Sequence, residues 1–106
     1  MKYNSIGMIE TNGLVSSISA LEAMLKLDDI EYIKSEIITN GQVTVFVSGD
    51  YSHLKHAVSA GKVAANDVGN VISTSIIEFP TSEILDLILG KKNANITQAA
   101  SKKNLL

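Results

Sequence analysis

His53 and His56 are the chain's two histidines. Imidazole is the side chain that exchanges a proton most readily near neutral pH, and it is a common zinc ligand. Their i,i+3 spacing near a helix start would let both reach one metal ion, but a metal centre needs further ligands and none is offered locally. The pair therefore reads as two surface or interface histidines. Asp28, Asp29 and Glu31 crowd a turn, where helix capping or solvation explains carboxylates more simply than general acid–base work, which needs a partner group and a cleft. The chain has no cysteine, which removes thiolate nucleophiles, disulfides, iron–sulfur clusters and cysteine-bearing zinc sites together. Its seven glycines form neither G-x-G-x-x-G nor G-x-x-x-x-G-K-[ST], so no phosphate-cradling loop is present. No serine stands in a G-x-S-x-G elbow. These residues describe a protein with no catalytic, metal or cofactor site, and the interest moves to its surface.

That surface carries little field. The 106 residues hold 9 basic side chains, all lysine, against 11 acidic ones, a formal net charge of −2. Scattered lysines do not neutralise a row of phosphates, so nucleic acid is not an expected partner. The apolar runs fall well short of the roughly 20 residues of a membrane-spanning helix. The opening run is interrupted by Glu10 before it resembles the hydrophobic centre of a secretory signal, and a cytoplasmic location is expected.

The pattern predicts one domain over 1–90 and a compositionally distinct tail over 91–106. Tyr3 to Glu10 reads as a strand broken by Asn12–Gly13. Leu14, Ile18, Leu21 and Leu25, with Ala20 and Met24, mark the buried stripe of a helix whose Ser16, Ser17, Glu22 and Lys26 lie mostly away from it, ending at Asp28–Asp29. Glu31 to Ile38 and Val43 to Ser48 read as strands, the first placing Ile30, Tyr32 and Lys34 on one side and Ile33, Ser35 and Ile37 on the other. Asn40–Gly41 between them is a hairpin signal, because both residues tolerate positive φ. After Gly49, Asp50 is placed to cap a helix whose face is Leu54, Ala57, Val58, Gly61, Ala65 and Val68. Gly69–Asn70 stops it, Val71 to Phe79 forms a fourth strand ended by Pro80, and Thr81 or Ser82 caps a short helix carrying Ile84, Leu85, Ile88 and Leu89 up to Gly90. The order β-α-β-β-α-β plus a terminal helix is an α+β, ferredoxin-like arrangement with its helices on one sheet face. The tail reads first as a mobile end and second as a docked helix. Composition and periodicity leave open whether Tyr3, Ile6, Ile72, Ile76, Ile77 and Phe79 are covered by self-association.

The run Ile6-Gly7-Met8-Ile9-Glu10-Thr11-Asn12-Gly13-Leu14 resembles the opening of the bacterial microcompartment shell domain, the single-domain type that forms hexagonal tiles. The likeness continues through Ala20 to Lys26, Asn40 to Val45, Gly49–Asp50, Lys55, Ala57, Ala60–Gly61 and Val68–Gly69, covering about residues 5 to 89. It implies a structural, non-enzymatic protein: a cyclic homohexamer that tiles edge to edge with itself and with other shell proteins around encapsulated enzymes, and passes metabolites through a pore on the sixfold axis. It further implies that Ile38, Thr39, Asn40 and Gly41 line that pore and that Lys26, Phe79 and Pro80 lie at the edge between hexamers. Two positions depart from the family pattern: Phe79 stands where a basic residue is common, and Thr39 where a glycine is. The alternative is a small ligand-binding regulatory domain of the same topology.

Overall fold

Val43, Val45 and Val47 alternate with half-buried Thr44 and Phe46, the period of a strand with one face against a core. In the computed structural model, which describes residues 4–27 and 29–90, they belong to β3 (Gln42–Gly49). The other elements are β1 (Ser5–Asn12), α1 (Leu14–Leu25), β2 (Glu31–Ile37), α2 (Tyr51–Val68), β4 (Val71–Glu78) and α3 (Ser82–Leu89). The strands form one antiparallel sheet in the order β2-β3-β1-β4, with α1 and α2 packed together on one face. The expected fold class and element order are observed. The tail over 91–106 lies outside the described residues.

The core joins Ile9, Val45 and Val47 of the sheet to Ala20 and Met24 of α1 and to Leu54, Ala57 and Ala65 of α2. Gly61 sits where three elements meet. A Cβ there would lie 2.7 Å from Ile9 Cδ1, 2.9 Å from Met24 Cγ and 3.2 Å from the Ala20 carbonyl oxygen, closer than packed carbon atoms approach. The two helices meet almost backbone to backbone, and their seam is built from small residues. Ser19 Oγ donates across it to the Ala64 carbonyl at 3.2 Å.

This seam turns the expected face of α1: Ala20 and Met24 are buried and Leu21 packs against the core as expected, but Leu14, Ile18 and Leu25 do not follow them. Ser16 and Ser17 are 2% and 1% exposed, whereas Leu14, Val15, Ile18 and Leu25 are between 41% and 68% exposed. The serines are small enough for the close approach, and Ser17 Oγ satisfies itself on the Leu14 carbonyl at 2.6 Å. Large aliphatic side chains on that side would hold the helices apart, so they point outward. The helix also ends sooner than expected, with Lys26 as its C-cap.

Three smaller corrections share a cause: distant contacts override local pattern. A register shift between Tyr32 and Lys34 places Tyr32 opposite Val47 and Lys34 opposite Phe46. Those two residues therefore lie on opposite faces, and a simple alternation through Ile33 fails. Asp50 is the N-cap of α2 but makes no side-chain cap bond; its carboxylate instead accepts from the Asn4 side-chain amide. Val68, expected on the buried face of α2, is exposed, while the neighbouring Gly69 is the residue that meets Ser16 of α1. At α3, Thr81 Oγ1 accepts from Ile84 N at 3.3 Å and Gly90 is the left-handed C-cap, as expected.

Replacing Gly61 by Val should lower stability by about 1–3 kcal/mol, read as a fall in the urea midpoint at fixed protein concentration. Helix propensity favours almost any residue over glycine, so a loss measures the seam itself. An unchanged or raised midpoint would contradict the close approach.

Candidate functional site

β2 and β3 are joined by a short hairpin turn. Ile38 N donates to the Gln42 carbonyl at 2.8 Å, closing a loop over Thr39–Gly41. Asn40 has φ 73° and ψ 17°, and Gly41 has φ 78°. Two consecutive residues thus occupy left-handed backbone, a conformation that glycine and asparagine enter more readily than other residues. The sequence Asn40–Gly41 is what this hairpin requires, and the structure brings all four candidate residues, Ile38 to Gly41, to one tip. Asn40 and Gly41 are exposed there, and Ile37 and Ile38 are exposed at its base. None of the four tip residues ionises. The tip presents amide donors, carbonyl acceptors and an aliphatic collar, which suits discrimination by size and hydrogen bonding rather than by charge or proton transfer.

The second group of candidates lies elsewhere in the fold. Lys26 follows α1, exposed, with its backbone N–H on the Glu22 carbonyl at 3.2 Å. Its side chain makes no ion pair among the described residues, Glu22 included. Phe79 follows β4 with φ 44°, an outlier for a bulky side chain. Its N–H is held by the Asn4 carbonyl at 2.9 Å and by Ser5 Oγ at 3.4 Å, and Pro80 fixes the next φ. This corner leaves the Phe79 ring 71% exposed. No hydrogen bond or ion pair joins Lys26 to Phe79 or Pro80 within the chain.

The residues with proton chemistry do not converge on a reaction centre. His53 Nδ1 lies 3.8 Å from Asp50 Oδ2, both groups exposed to solvent, and His56 is exposed on the same helix. Among the described residues no group of three or more His, Cys, Asp or Glu side chains is placed to hold a metal ion. Asp29, Glu31 and Asp50 line an open cleft of about 330 Å³ with Ser48 and Gly49. Asp28 of the same acidic run lies outside the described residues. The cleft gathers like charges, and the Asp50 carboxylate accepts from the neutral Asn4 amide.

The sequence reading missed the outward aliphatic side of α1. A signal for it was present: serines in the middle of one helix matched by Gly61 and Ala65 in the next predict that the small faces meet. The size of a hydrophobic stripe says nothing about which neighbour it serves.

Comparison with known proteins gives a consistent answer. The family model described as the BMC domain matches residues 5–80. The chain is 38% identical over 84 residues to the bacterial microcompartment shell protein PduA of Citrobacter freundii, covering 79% of this chain and 90% of that protein. It is 42% identical over 87 residues to a carboxysome shell protein of Synechocystis sp., covering 80% and 84% of the two chains. Among solved structures, a microcompartment protein from Desulfitobacterium hafniense superposes with a TM-score of 0.72 at 28% identity, over 81% of this chain and 47% of that one. Together with the fold, these matches show that the chain belongs to the BMC-domain family of bacterial microcompartment shell proteins, which are structural rather than catalytic.

Proposed function

We propose that this chain is one subunit of a cyclic homohexameric tile in the shell of a cytoplasmic bacterial microcompartment. Ile38, Thr39, Asn40 and Gly41 surround a sixfold pore for small metabolites, and Lys26, Phe79 and Pro80 lie where hexamers meet. The observation that carries the self-assembling reading is the turned face of α1: Leu14, Val15, Ile18 and Leu25 face outward while Ser16 and Ser17 face inward. Fully burying one such aliphatic side chain stabilises an assembly by about 1.5–3 kcal/mol, so a row of them gives association a large driving force and gives the lone chain none.

The pore reading rests on the hairpin. Six uncharged tips would leave selectivity to aperture and hydrogen bonding, favouring small neutral or polar metabolites, with the N–H groups near Gly41 softening any preference against anions. At the tile edge, Lys26 offers an aliphatic stem that packs and an ammonium tip that reaches neighbouring carbonyl oxygens. Phe79 replaces a planar basic donor by an apolar ring, which loosens control of the angle between tiles. Other shell proteins and encapsulated enzymes are the partners of such a tile.

Light scattering at several concentrations tests the assembly. A mass of six 11.3 kDa chains, about 68 kDa, or multiples of it is expected. A concentration-independent monomer, dimer or trimer would overturn the tile. Ile18→Glu should lower the mass while leaving far-ultraviolet circular dichroism intact; an unchanged mass would remove α1 from the subunit contact. Lys26→Ala should abolish tile-to-tile assembly and leave the hexamer, whereas dissociation to monomers would contradict its peripheral placement. At the hairpin, Asn40→Gly should fold with near-normal stability while Asn40→Val loses about 1–2 kcal/mol, the usual order of a left-handed penalty. Equal urea midpoints for the two variants would show that the left-handed turn is not retained.

A further inference from the structure

Two Asn–Gly pairs occur in the chain, Asn12–Gly13 and Asn40–Gly41. An asparagine followed by glycine is open to a reaction of its own side chain: the backbone nitrogen of the next residue attacks the amide carbon, and glycine has no Cβ to obstruct the five-membered ring that forms. Both asparagines are exposed, and a Cβ on either glycine would meet nothing within 4 Å. Sequence and crowding therefore do not separate the two pairs. Their backbones do.

Ring closure requires rotation about the asparagine Cα–C bond, which turns the whole Asn–Gly peptide. Asn12 ends β1 opposite Gln42, and its N–H donates to the Asn70 carbonyl at 2.9 Å. Gly13 is the N-cap of α1, and its carbonyl accepts from Ser17 N at 3.4 Å and from Thr11 Oγ1 at 3.0 Å. Turning this peptide would disturb a strand end and a helix start together. At the hairpin, the closing bond from Ile38 N to the Gln42 carbonyl joins residues on either side of the Asn40–Gly41 peptide. Positive φ at both residues is the mark of a type I′ turn, and flipping the peptide between them gives a type II′ turn, whose first residue keeps its φ and takes ψ of about −120°. That ψ brings the Asn40 side-chain carbon and the Gly41 nitrogen to the same side, as the ring demands. Both turn types suit a hairpin, so the tip reaches the reactive geometry without opening the strands.

We infer that Asn40 is a deamidation site of the folded chain and that the fold protects Asn12. The Gly41 nitrogen, its proton lost to solvent base, bonds to Asn40 Cγ and ammonia leaves. Water then opens the succinimide, at the side-chain carbonyl to give aspartate or at the backbone carbonyl to give isoaspartate. Aspartate keeps the turn, because Asp–Gly is a hairpin pair of the same kind and aspartate also enters left-handed backbone. Each converted chain gains one negative charge at a tip that carries none. On the tile reading, on which this consequence alone rests, the rim of the pore becomes anionic as the protein ages and passage shifts toward cations.

Full-length protein warmed at mildly alkaline pH, then digested and read by peptide mass spectrometry, tests the site. The mass gain of amide to acid should appear at Asn40 roughly tenfold faster than at Asn12, the factor expected when closure at Asn12 must first break the hydrogen bonds of its junction. In urea, where neither backbone is held, the two rates should converge. Equal rates in the folded chain, or a faster Asn12, overturn the inference, and a difference that persists in urea traces it to flanking residues and overturns it as well. Asn40→Asp should keep the circular dichroism and urea midpoint of the parent; an unfolded variant would show that the hairpin does not hold the product. The peptide readout is independent of oligomeric state, so failure of the tile and failure of this site are told apart.

Discussion

The seam between α1 and α2 is the constraint on which the rest of the structure depends. Gly61 leaves no room for a Cβ between Ile9, Met24 and the Ala20 carbonyl, and Gly69 faces Ser16 in the same way, since a Cβ there would meet Ser16 Oγ. With backbones this close, the fully buried positions of α1 are Ser16, Ser17, Ala20 and the adaptable Met24 side chain. Leu21 still packs against the core, but Leu14, Val15, Ile18 and Leu25 are turned outward. A domain organised in this way is well packed inside and unfinished outside: its core is set by the seam, while part of its apolar surface waits for another molecule. Exposed hydrophobic residues scattered singly are ordinary. Four on one short helix, opposite two buried serines, are better explained by a contact.

The sheet shows a related asymmetry. β2 and β4 are its two edges. β2 breaks its register between Tyr32 and Lys34 and carries Glu31, Lys34 and Glu36, with Lys34 paired to Glu36 at 2.6 Å and its Nζ 5.4 Å from the Phe46 ring centre. An irregular and charged edge resists further strand pairing. The turn that ends this strand is equally fixed, since two residues at positive φ admit few sequences. The hairpin is therefore a stiff support that holds its tip in one position, a property that suits the proposed pore.

Much of this was legible in the sequence because it is local. The element order followed from periodicity and from breakers such as Asn12–Gly13, Gly69–Asn70 and Pro80. The hairpin followed from Asn40–Gly41, and the α3 boundaries from Thr81 and Gly90. What could not be read depends on residues far apart in the chain. The face of α1 is decided by Gly61 and Gly69 some 40 to 50 positions later. The missing side-chain cap at Asp50 is decided by Asn4, 46 residues away. The left-handed conformation of Phe79 is held by Asn4 and Ser5 from the opposite end of the domain. The hairpin tip was located correctly from two residues, but in the proposed ring the walls it would face belong to other copies, and no single-chain pattern encodes their distance.

Phe79 shows how the edge and the fold are linked. Its backbone conformation is unfavourable for a residue with a Cβ, yet the N–H bonds to Asn4 and Ser5 and the rigid Pro80 hold it there. Glycine would relieve the backbone and lose the ring. The corner therefore keeps a side chain that is 71% exposed in the single domain, which fits the edge contact proposed for it. In the proposed tile, an apolar ring contributes by area removed from water, an effect that salt does not screen as it screens charges. Uncharged pore tips and a phenyl ring at the edge then place both functions of the tile, passage and cohesion, under the control of shape and burial more than of charge.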